Sequence, residues 1–375
     1  MAMSSALTEH QALLVLNGLA NMGPVTLNRL LDAVGGDPRL VLSADARTLA
    51  SVQGVTAKAV ASILEWEKHM NLPREEERLA QAGAFFLPVK DPGYPELLRE
   101  IHDPPIGLYR MGNYDFSNPC IGIVGSRRAT LYGQSVARSF GAELARLGFC
   151  VVSGLARGID TAAHEGALSV NGRTAAVLGT GLDIIYPPEN LALYRRIAEA
   201  GAVLSEFPFG RKADRQSFAM RNRIISGMSQ AVVVVESDED GGAMITAKFA
   251  GEQGRMLLVV PGRIDQPTSR GCHQLIRDGA TLVTGVADIL QELNYLAGMR
   301  TVAAKEEVSS ARVVPDLSPV ERAVMDCFAG GESLTVDLLA ERLGDSASAV
   351  AATLMMLELR ALVARRQDGS YEAVS

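Results

Sequence analysis

The sequence predicts an α/β fold: a mainly parallel sheet covered on both faces, flanked by a small N-terminal all-α domain and a C-terminal winged-helix domain. Three observations carry this reading. Apolar runs of strand length alternate with helix-length amphipathic stretches through the middle of the chain. Residues 1–72 show helical patterning alone, and residues 315–375 read as three helices and a hairpin. Strands alternating with helices need crossover connections, which favour a right-handed parallel sheet with helices on both sides.

In residues 1–72 one pattern is used twice. Leu16-Asn17-Gly18 to Gly23-Pro24-Val25-Thr26 leads into Leu27–Leu31, and Leu49 to Gly54-Val55-Thr56 leads into Ala59–Leu64. Each copy has an apolar helix end, a turn glycine and a threonine suited to capping the next helix. The pattern resembles a pair of helix-hairpin-helix units, whose turn amides can approach a DNA phosphate. A small packing module of the sterile-alpha-motif kind fits equally well, since only Arg29 and Lys58 add charge near the turns.

Residues 73–298 carry the strand-like runs Cys120–Val124, Phe149–Ser153, Ala175–Leu178, Ala202–Leu204, Ala231–Val235 and Met256–Val260. Helical periods such as Leu131–Leu147 and Ile245–Gln253 fill the gaps. Residues 299–314 lose this alternation and read as a linker. Helices over Ser318–Phe328, Thr335–Leu343 and Ser346–Leu359, then a wing around Gln367–Ser370, outline the winged helix. Its third helix opens Ser346-Ala347-Ser348-Ala349-Val350-Ala351-Ala352-Thr353, without the Arg, Lys, Asn or Gln that reads base edges. Protein contact or packing is its expected role.

Composition narrows the function. With a formal net charge of −7 over 375 residues, any nucleic-acid site must be a local basic patch. Cys120, Cys150, Cys272 and Cys327 form no CxxC pair, so free thiols in a reducing, cytoplasmic setting are expected, with no metal site. No secretory leader is expected, because Ala12–Leu16 lacks a basic leader and is broken by Asn17-Gly18. No run of 18 apolar residues suggests a membrane span.

Ligands of open parallel sheets bind beyond the carboxyl ends of the strands. Small, glycine-bearing turns recur there: Gly125-Ser126-Arg127-Arg128, Ser153-Gly154 to Gly158-Ile159-Asp160, Gly179-Thr180-Gly181-Leu182-Asp183, and Gly241-Gly242-Ala243. Glycine lets a backbone amide approach a phosphate, and a helix N-terminus favours the negative charge. None of these turns matches a dinucleotide fingerprint or a Walker A loop, so no nicotinamide or ATP cofactor is expected. A second element is Phe218-Ala219-Met220-Arg221-Asn222-Arg223, whose helical spacing sets Phe218, Arg221 and Asn222 on one face. A ring beside a guanidinium and an amide suits one nucleotide. Residues 195–223 hold seven cations, including Arg195, Arg196, Arg211, Lys212 and Arg215, against three carboxylates.

These ordered motifs, with Ala163-His164, Tyr186-Pro187, Arg221 to Gly227, Ile245-Thr246-Ala247, Pro261-Gly262, Leu275-Ile276 and Gly279-Ala280, resemble the DNA-processing protein A (DprA/Smf) family over roughly residues 85–295. The resemblance implies an extended Rossmann core that binds single-stranded DNA without sequence preference. It also implies a homodimer through this domain and loading of RecA recombinase in natural transformation. Carried over by position, Arg127 with Ser126 would hold a phosphate, Arg221-Asn222-Arg223 would line the strand path, and Phe218 would stack a base. Lys248, beyond Gly241-Gly242, is a further phosphate candidate. The expected DNA-binding set is therefore Ser126, Arg127, Arg128, Lys212, Phe218, Arg221, Asn222, Arg223 and Lys248. The amides of Gly125, Gly154, Gly158, Gly179, Gly181, Gly241 and Gly242 complete it.

Some positions stay open. Phe218 also suits a core, Arg127 a carboxylate pair, and Arg223 a structural role. The Gly241-Gly242-Ala243 turn stands where the family often has hydroxyls, and His273 where an Asn is common. Asp160 and His164, four apart after a glycine turn, read as a capping aspartate and a packed histidine rather than a catalytic pair. No enzyme activity is expected. The alternative is a nucleotide N-glycosidase of the phosphoribohydrolase kind, since Gly241-Gly242-Ala243-Met244-Ile245-Thr246 imitates its Gly-Gly-x-x-Thr loop. The glutamate expected soon after that threonine is missing, and Glu252 comes a full turn late.

Overall fold

Runs of Val, Ile, Leu and Ala that stay apolar at every position, rather than alternating, demand a strand covered on both faces. The computed structural model, which describes residues 7–297, 317–328, 334–359, 362–365 and 370–373, places them so. Its strands are β1 (Ala84–Pro88), β2 (Gly107–Met111), β3 (Cys120–Val124), β4 (Cys150–Ser153), β5 (Thr174–Leu178), β6 (Ala202–Ser205), β7 (Ala231–Val234), β8 (Met256–Val259) and β9 (Thr281–Leu282). The six runs expected from sequence fall on β3 to β8, with ends displaced by at most one residue. β1 and β2 escape the sequence pattern because they form an antiparallel ribbon at the sheet's edge, with Arg110 inside β2.

The sheet has nine strands in the order β1-β2-β6-β5-β4-β3-β7-β8-β9. β3 to β9 are mutually parallel, while β2 meets β6 antiparallel. From β3 the chain winds outward to β6, then returns to pair β7 with the other side of β3. The switch point of the sheet therefore lies between β3 and β7, and every parallel strand delivers its following loop to one rim. Ile121, Val151, Ala176 and Val233 are fully buried, each larger aliphatic side chain being worth about 1.5–3 kcal/mol when removed from water.

The N-terminal helices do not stand apart. Leu14, Leu16, Leu30 and Ile63 share one core cluster with Phe86, Tyr109 and Phe209 of the sheet domain, and the first compact unit runs Met1–Arg300. Asn17 Nδ2 donates to the Glu206 carbonyl at 2.8 Å, and the buried Glu75 carboxylate accepts from the Phe209 amide at 3.0 Å. Thr56 caps the helix Ala57–Leu64, accepting from the Ala59 amide as expected. Thr26 does not cap: the helix Pro24–Ala33 starts at Gly23, with Pro24 supplying the preset φ of a first turn. The second turn glycine, Gly54, lies against the Arg29 guanidinium, which donates to the Gln53 carbonyl at 3.2 Å.

The second unit, Thr301–Ser375, has helices Pro319–Asp326, Val336–Leu343 and Ala347–Leu359 and a hairpin pairing Val363–Arg365 with Tyr371–Ala373. Val324, Phe328, Leu339, Leu354 and Leu357 form its core. This is the winged-helix arrangement. The linker 299–314 and the wing tip at Gln367-Asp368-Gly369 lie outside the described residues. Among the described residues, no helix is long and apolar enough to cross a membrane. Cys120, Cys150 and Cys272 are buried and Cys327 is half-buried, all as free thiols.

Candidate nucleic-acid interface

The glycine turns at the rim serve mostly the protein itself. A Cβ on Gly125 would meet Ile159 Cγ1 at 2.5 Å, on Gly179 Phe218 Cδ1 at 2.9 Å, on Gly181 the Pro208 carbonyl at 2.5 Å, and on Gly241 Ser237 Oγ at 2.3 Å. Gly154 gives way to the Arg221 guanidinium, and Gly158, at φ +76°, to the Ser126 carbonyl. Only Gly242 of the seven faces open space. Three expected phosphate-binding amides are already engaged, which corrects that reading. Gly154 and Ala156 donate to Asp160 Oδ2 at 3.2 and 3.3 Å, Gly181 to the Arg211 carbonyl at 3.0 Å, and Gly241 to the Asp238 carbonyl at 2.9 Å. An internal carboxylate fills the anion position of the turn after β4.

The switch-point crevice is likewise stitched shut. Ser126 N–H donates to the Glu236 carbonyl at 2.6 Å, and the buried Glu236 carboxylate accepts from the Thr130 amide and hydroxyl at 2.8 and 2.5 Å. The open feature lies beside it, over the turns that follow β3, β4 and β5.

There the helix Arg215–Met228, started by an Asp214–Ser217 capping box, projects Phe218 and Arg221 one turn apart. Phe218 rests on Gly179 and Arg221 on Gly154. The two line a small pocket, with room for about one water molecule, together with Arg127, Arg157, Tyr186 and Pro187. The Arg127 guanidinium stacks over the Phe218 ring, and the Tyr186 ring stands 5.5 Å from it, tilted by 47°. Arg221 is 4% exposed, and its Nε and Nη1 have no hydrogen-bond partner. Asp160 Oδ2 stands 3.9 Å from its Nη2. Burial pulls the Arg221 pKa down to about 10, with Asp160 opposing and Arg127 adding repulsion. Burial also raises the Asp160 carboxyl, against the pull of Arg221. At the mouth Arg157 pairs with Glu189.

Of the other expected residues, Arg128 and Lys212 are exposed at the rim and Ser126 is half-buried, its Oγ accepting from the Arg128 amide at 3.1 Å. None of these lines the pocket, and three more expected residues are engaged elsewhere. Arg223 is fully buried, bonded to Asp103 at 2.9 Å and Glu206 at 2.6 Å, because its place on the helix faces the β2–β6 side of the core. Asn222 turns away from Arg221 and donates to the Gly242 carbonyl at 3.3 Å. Lys248 sits nearly two turns inside the helix Gly242–Glu252, exposed and 3.8 Å from Glu252. It is therefore remote from the N-terminal amides of that helix. The basic run also divides: Arg196 lines a separate groove with Arg173 and Asn171 at the amino ends of the strands. Arg157 and Tyr186 were not assigned from sequence. The signal for Arg157 was a cation inside a glycine turn.

Asp160 and His164 are structural. His164 is fully buried, and its Nδ1 lies 2.6 Å from Thr174 Oγ1, whose proton goes to the Val151 carbonyl. The ring must then donate from Nδ1, leaving Nε2 unprotonated. Burial, with Arg221 nearby, lowers its pKa to about 3. The residues on which the N-glycosidase reading rests are otherwise placed. Thr246 is buried, Glu252 points to solvent beside Lys248, and Glu236 is consumed by Thr130. Among the described residues no His, Cys, Asp or Glu group has metal-binding geometry.

A mainly parallel sheet with guanidiniums and two aromatic rings at the rim beyond its strand ends defines a class by fold, the Rossmann-like α/β proteins. The profile of the DNA recombination-mediator protein A family matches residues 85–294, and that of the DprA winged helix domain matches residues 308–369. Protein Smf of Synechocystis is 40% identical over 302 residues, covering 78% of this chain and 73% of its own. DNA processing protein DprA of Bacillus subtilis is 37% identical over 259 residues, covering 68% and 87%. The crystal structure of DNA processing protein A from Streptococcus pneumoniae superposes with a TM-score of 0.65 at 33% identity, covering 76% of this chain and 98% of that one. The corresponding Helicobacter pylori protein, described for its single-stranded DNA binding mode, gives 0.52 at 29% identity over 56% and 96%. The chain belongs to the DprA/Smf DNA-processing family.

Proposed function

We propose that this chain captures single-stranded DNA without sequence preference along the rim above β3, β4 and β5, and has no catalytic activity of its own. The observation that carries the reading is the Arg221 guanidinium, buried with two unengaged N–H groups beneath Arg127 and the Phe218 ring. A guanidinium so placed favours an anion, and the Phe218 ring offers a face to any base once Arg127 moves off it. Ser126, Arg128 and Lys212 extend the path outside the pocket. The single-stranded DNA binding mode described for the Helicobacter pylori relative supports the same reading.

We further propose that the bound strand is handed to RecA recombinase in the cytoplasm, during uptake of DNA in natural transformation. The description of the family as recombination mediators supports this. We also propose self-association through the sheet domain, with Ile264, 93% exposed in the segment that follows β8, as a position at which to probe it. Sedimentation of the intact protein and of Ile264→Lys tests it; a species that is monomeric at all concentrations removes the dimer. The DNA reading is tested by titrating single- and double-stranded oligonucleotides of equal length at several salt concentrations. A clear preference for the single strand, weakening with salt, is expected. Equal or absent binding would overturn it.

A further inference from the structure

We propose that the outward face of the winged-helix unit's third helix, Ala347–Leu359, docks a basic amphipathic helix of a partner protein. The face uses no residue of the rim and does not depend on the DNA-binding reading.

The helix is apolar on every side. Val350, Leu354 and Leu357 belong to the unit's core, against which Pro319–Asp326 and Val336–Leu343 pack. Ser348, Ala351, Ala352, Met355 and Met356 hold the opposite arc and are open to solvent, Met355 to 63% and Met356 to 48%. The pairs Ser348–Ala352, Ala351–Met355 and Ala352–Met356 are each one helical turn apart, so these residues form one continuous stripe. A helix that is apolar all round is ordinarily buried all round. Here one side waits for a cover.

Shape suits another helix. The short side chains of the first turns let a second backbone come close, and the two methionines beyond them adapt to the apolar side chains it presents. Amphipathic helices dock on surfaces of this kind by residues at helical spacing.

Charge selects the polar side of that helix. Asp337, Glu341, Asp345 and Glu358 are exposed on this helix, the one before it and the turn between them, against Arg342 alone. Asp337 lies in the first turn of its helix, and Asp345 accepts from the Ser346 amide at 2.9 Å, so both serve local structure. Glu341 and Glu358 stand in last turns, where the helix dipole opposes a carboxylate, so their own helices do not explain them. An acidic surround repels nucleic acid, and it sets like charges against each other if the face meets a second copy of itself. Lysines and arginines on a partner's polar side meet it favourably.

The test uses the full chain and fluorescence anisotropy of three labelled peptides of about 18 residues. One has leucine at i, i+3, i+4 and i+7 with lysine elsewhere; the second has glutamate in place of lysine; the third is a shuffle of the first whose leucines share no face. The leucine–lysine helix should bind about tenfold tighter than either of the others. Met355→Gln with Met356→Gln, at exposed positions where glutamine suits a helix, should lower that affinity about tenfold, the scale of one apolar side chain left out of contact. The melting temperature and DNA binding of this variant should not change. Glu341→Gln with Glu358→Gln should flatten the salt dependence of peptide binding. Equal binding of the shuffled peptide, or binding that survives in the methionine variant, would reduce the effect to attraction by acidic surface at large and overturns the inference. Equal binding of the glutamate helix, or no binding of any peptide, does the same. A parent that sediments as a larger species than the methionine variant gives the face to a second copy, and a loss of DNA affinity in that variant gives it to nucleic acid. Either result removes the partner helix.

Discussion

The guanidinium carbon of Arg127 lies 5.1 Å from the centroid of the Phe218 ring, so the cation suited to a phosphate covers the ring suited to a base. A cation held over an aromatic face is stabilised by about 0.5–1 kcal/mol at an exposed site. A base can stack there only after Arg127 has moved.

Stacking and charge are consequently coupled in binding. Phe218→Ala should weaken single-strand affinity by about 1–3 kcal/mol at every salt concentration. Arg127→Ala should reduce the salt slope by about 0.7, because one fewer phosphate is neutralised, while leaving the ring uncovered. The double variant should fall short of the sum, because each single change also removes the interaction between Arg127 and Phe218. Fluorescence titrations across a salt series measure all three, and strict additivity would refute the coupling.

Arg223 should behave as a structural residue. Arg223→Met leaves Asp103 and Glu206 facing each other without a cation, and breaking such a buried network costs about 3–5 kcal/mol. Urea denaturation should show that loss. The salt slope of DNA binding by the folded fraction should not change, whereas a reduced slope would put Arg223 back on the strand path.

Two rim glycines should separate. Gly179→Ala brings a Cβ to 2.9 Å from Phe218 Cδ1 and 3.3 Å from its backbone, so Phe218 must shift and DNA affinity should drop. Gly242→Ala meets nothing within 4 Å and opens a helix, so stability should stay within about 0.5 kcal/mol of the parent. Titration and thermal melts of both variants check this. Unchanged affinity in Gly179→Ala would detach Phe218 from the site.

His164 should make the fold acid-sensitive. Its folded pKa, about 3, lies below the ordinary 6.5, so the unfolded chain binds the extra proton first. Its stabilising contribution is complete above pH 6.5 and is lost as pH falls toward 3, at up to about 1.4 kcal/mol per pH unit. Glu75, Asp160 and Glu206 are shifted upward by burial, and their effect runs the other way, weakening the fold as pH rises through their folded values. The difference between the parent and His164→Gln in urea midpoints at pH 7 and pH 5 isolates the histidine. Equal pH dependence in the two proteins would contradict the buried neutral ring.

Periodicity exposed β3 to β8 because each is apolar on both faces, and it exposed the helices of the winged-helix unit through their spacing. It missed β1, β2 and β9: β1 and β2 form an antiparallel ribbon outside the alternating pattern, β2 with Arg110 inside it, and β9 is only two residues long. At the site, Phe218 and Arg221 were legible from one-turn spacing. Asn222, one residue on, was not: the turn of the helix carries it to Gly242, and no sequence pattern shows what stands opposite. Lys248 and Arg196 were drawn in by nearness along the chain, which does not survive a helix and a crossover.

The sequence by itself determined the layer order, the common rim and the residue types available there, because strand length, apolar continuity and turn chemistry are local properties. Only the tertiary structure decided which cations face the rim and which amides remain free. That choice depends on what each group meets across the fold. Arg223 meets two carboxylates and is consumed; Arg221 meets a glycine and one distant carboxylate, and keeps N–H groups to offer.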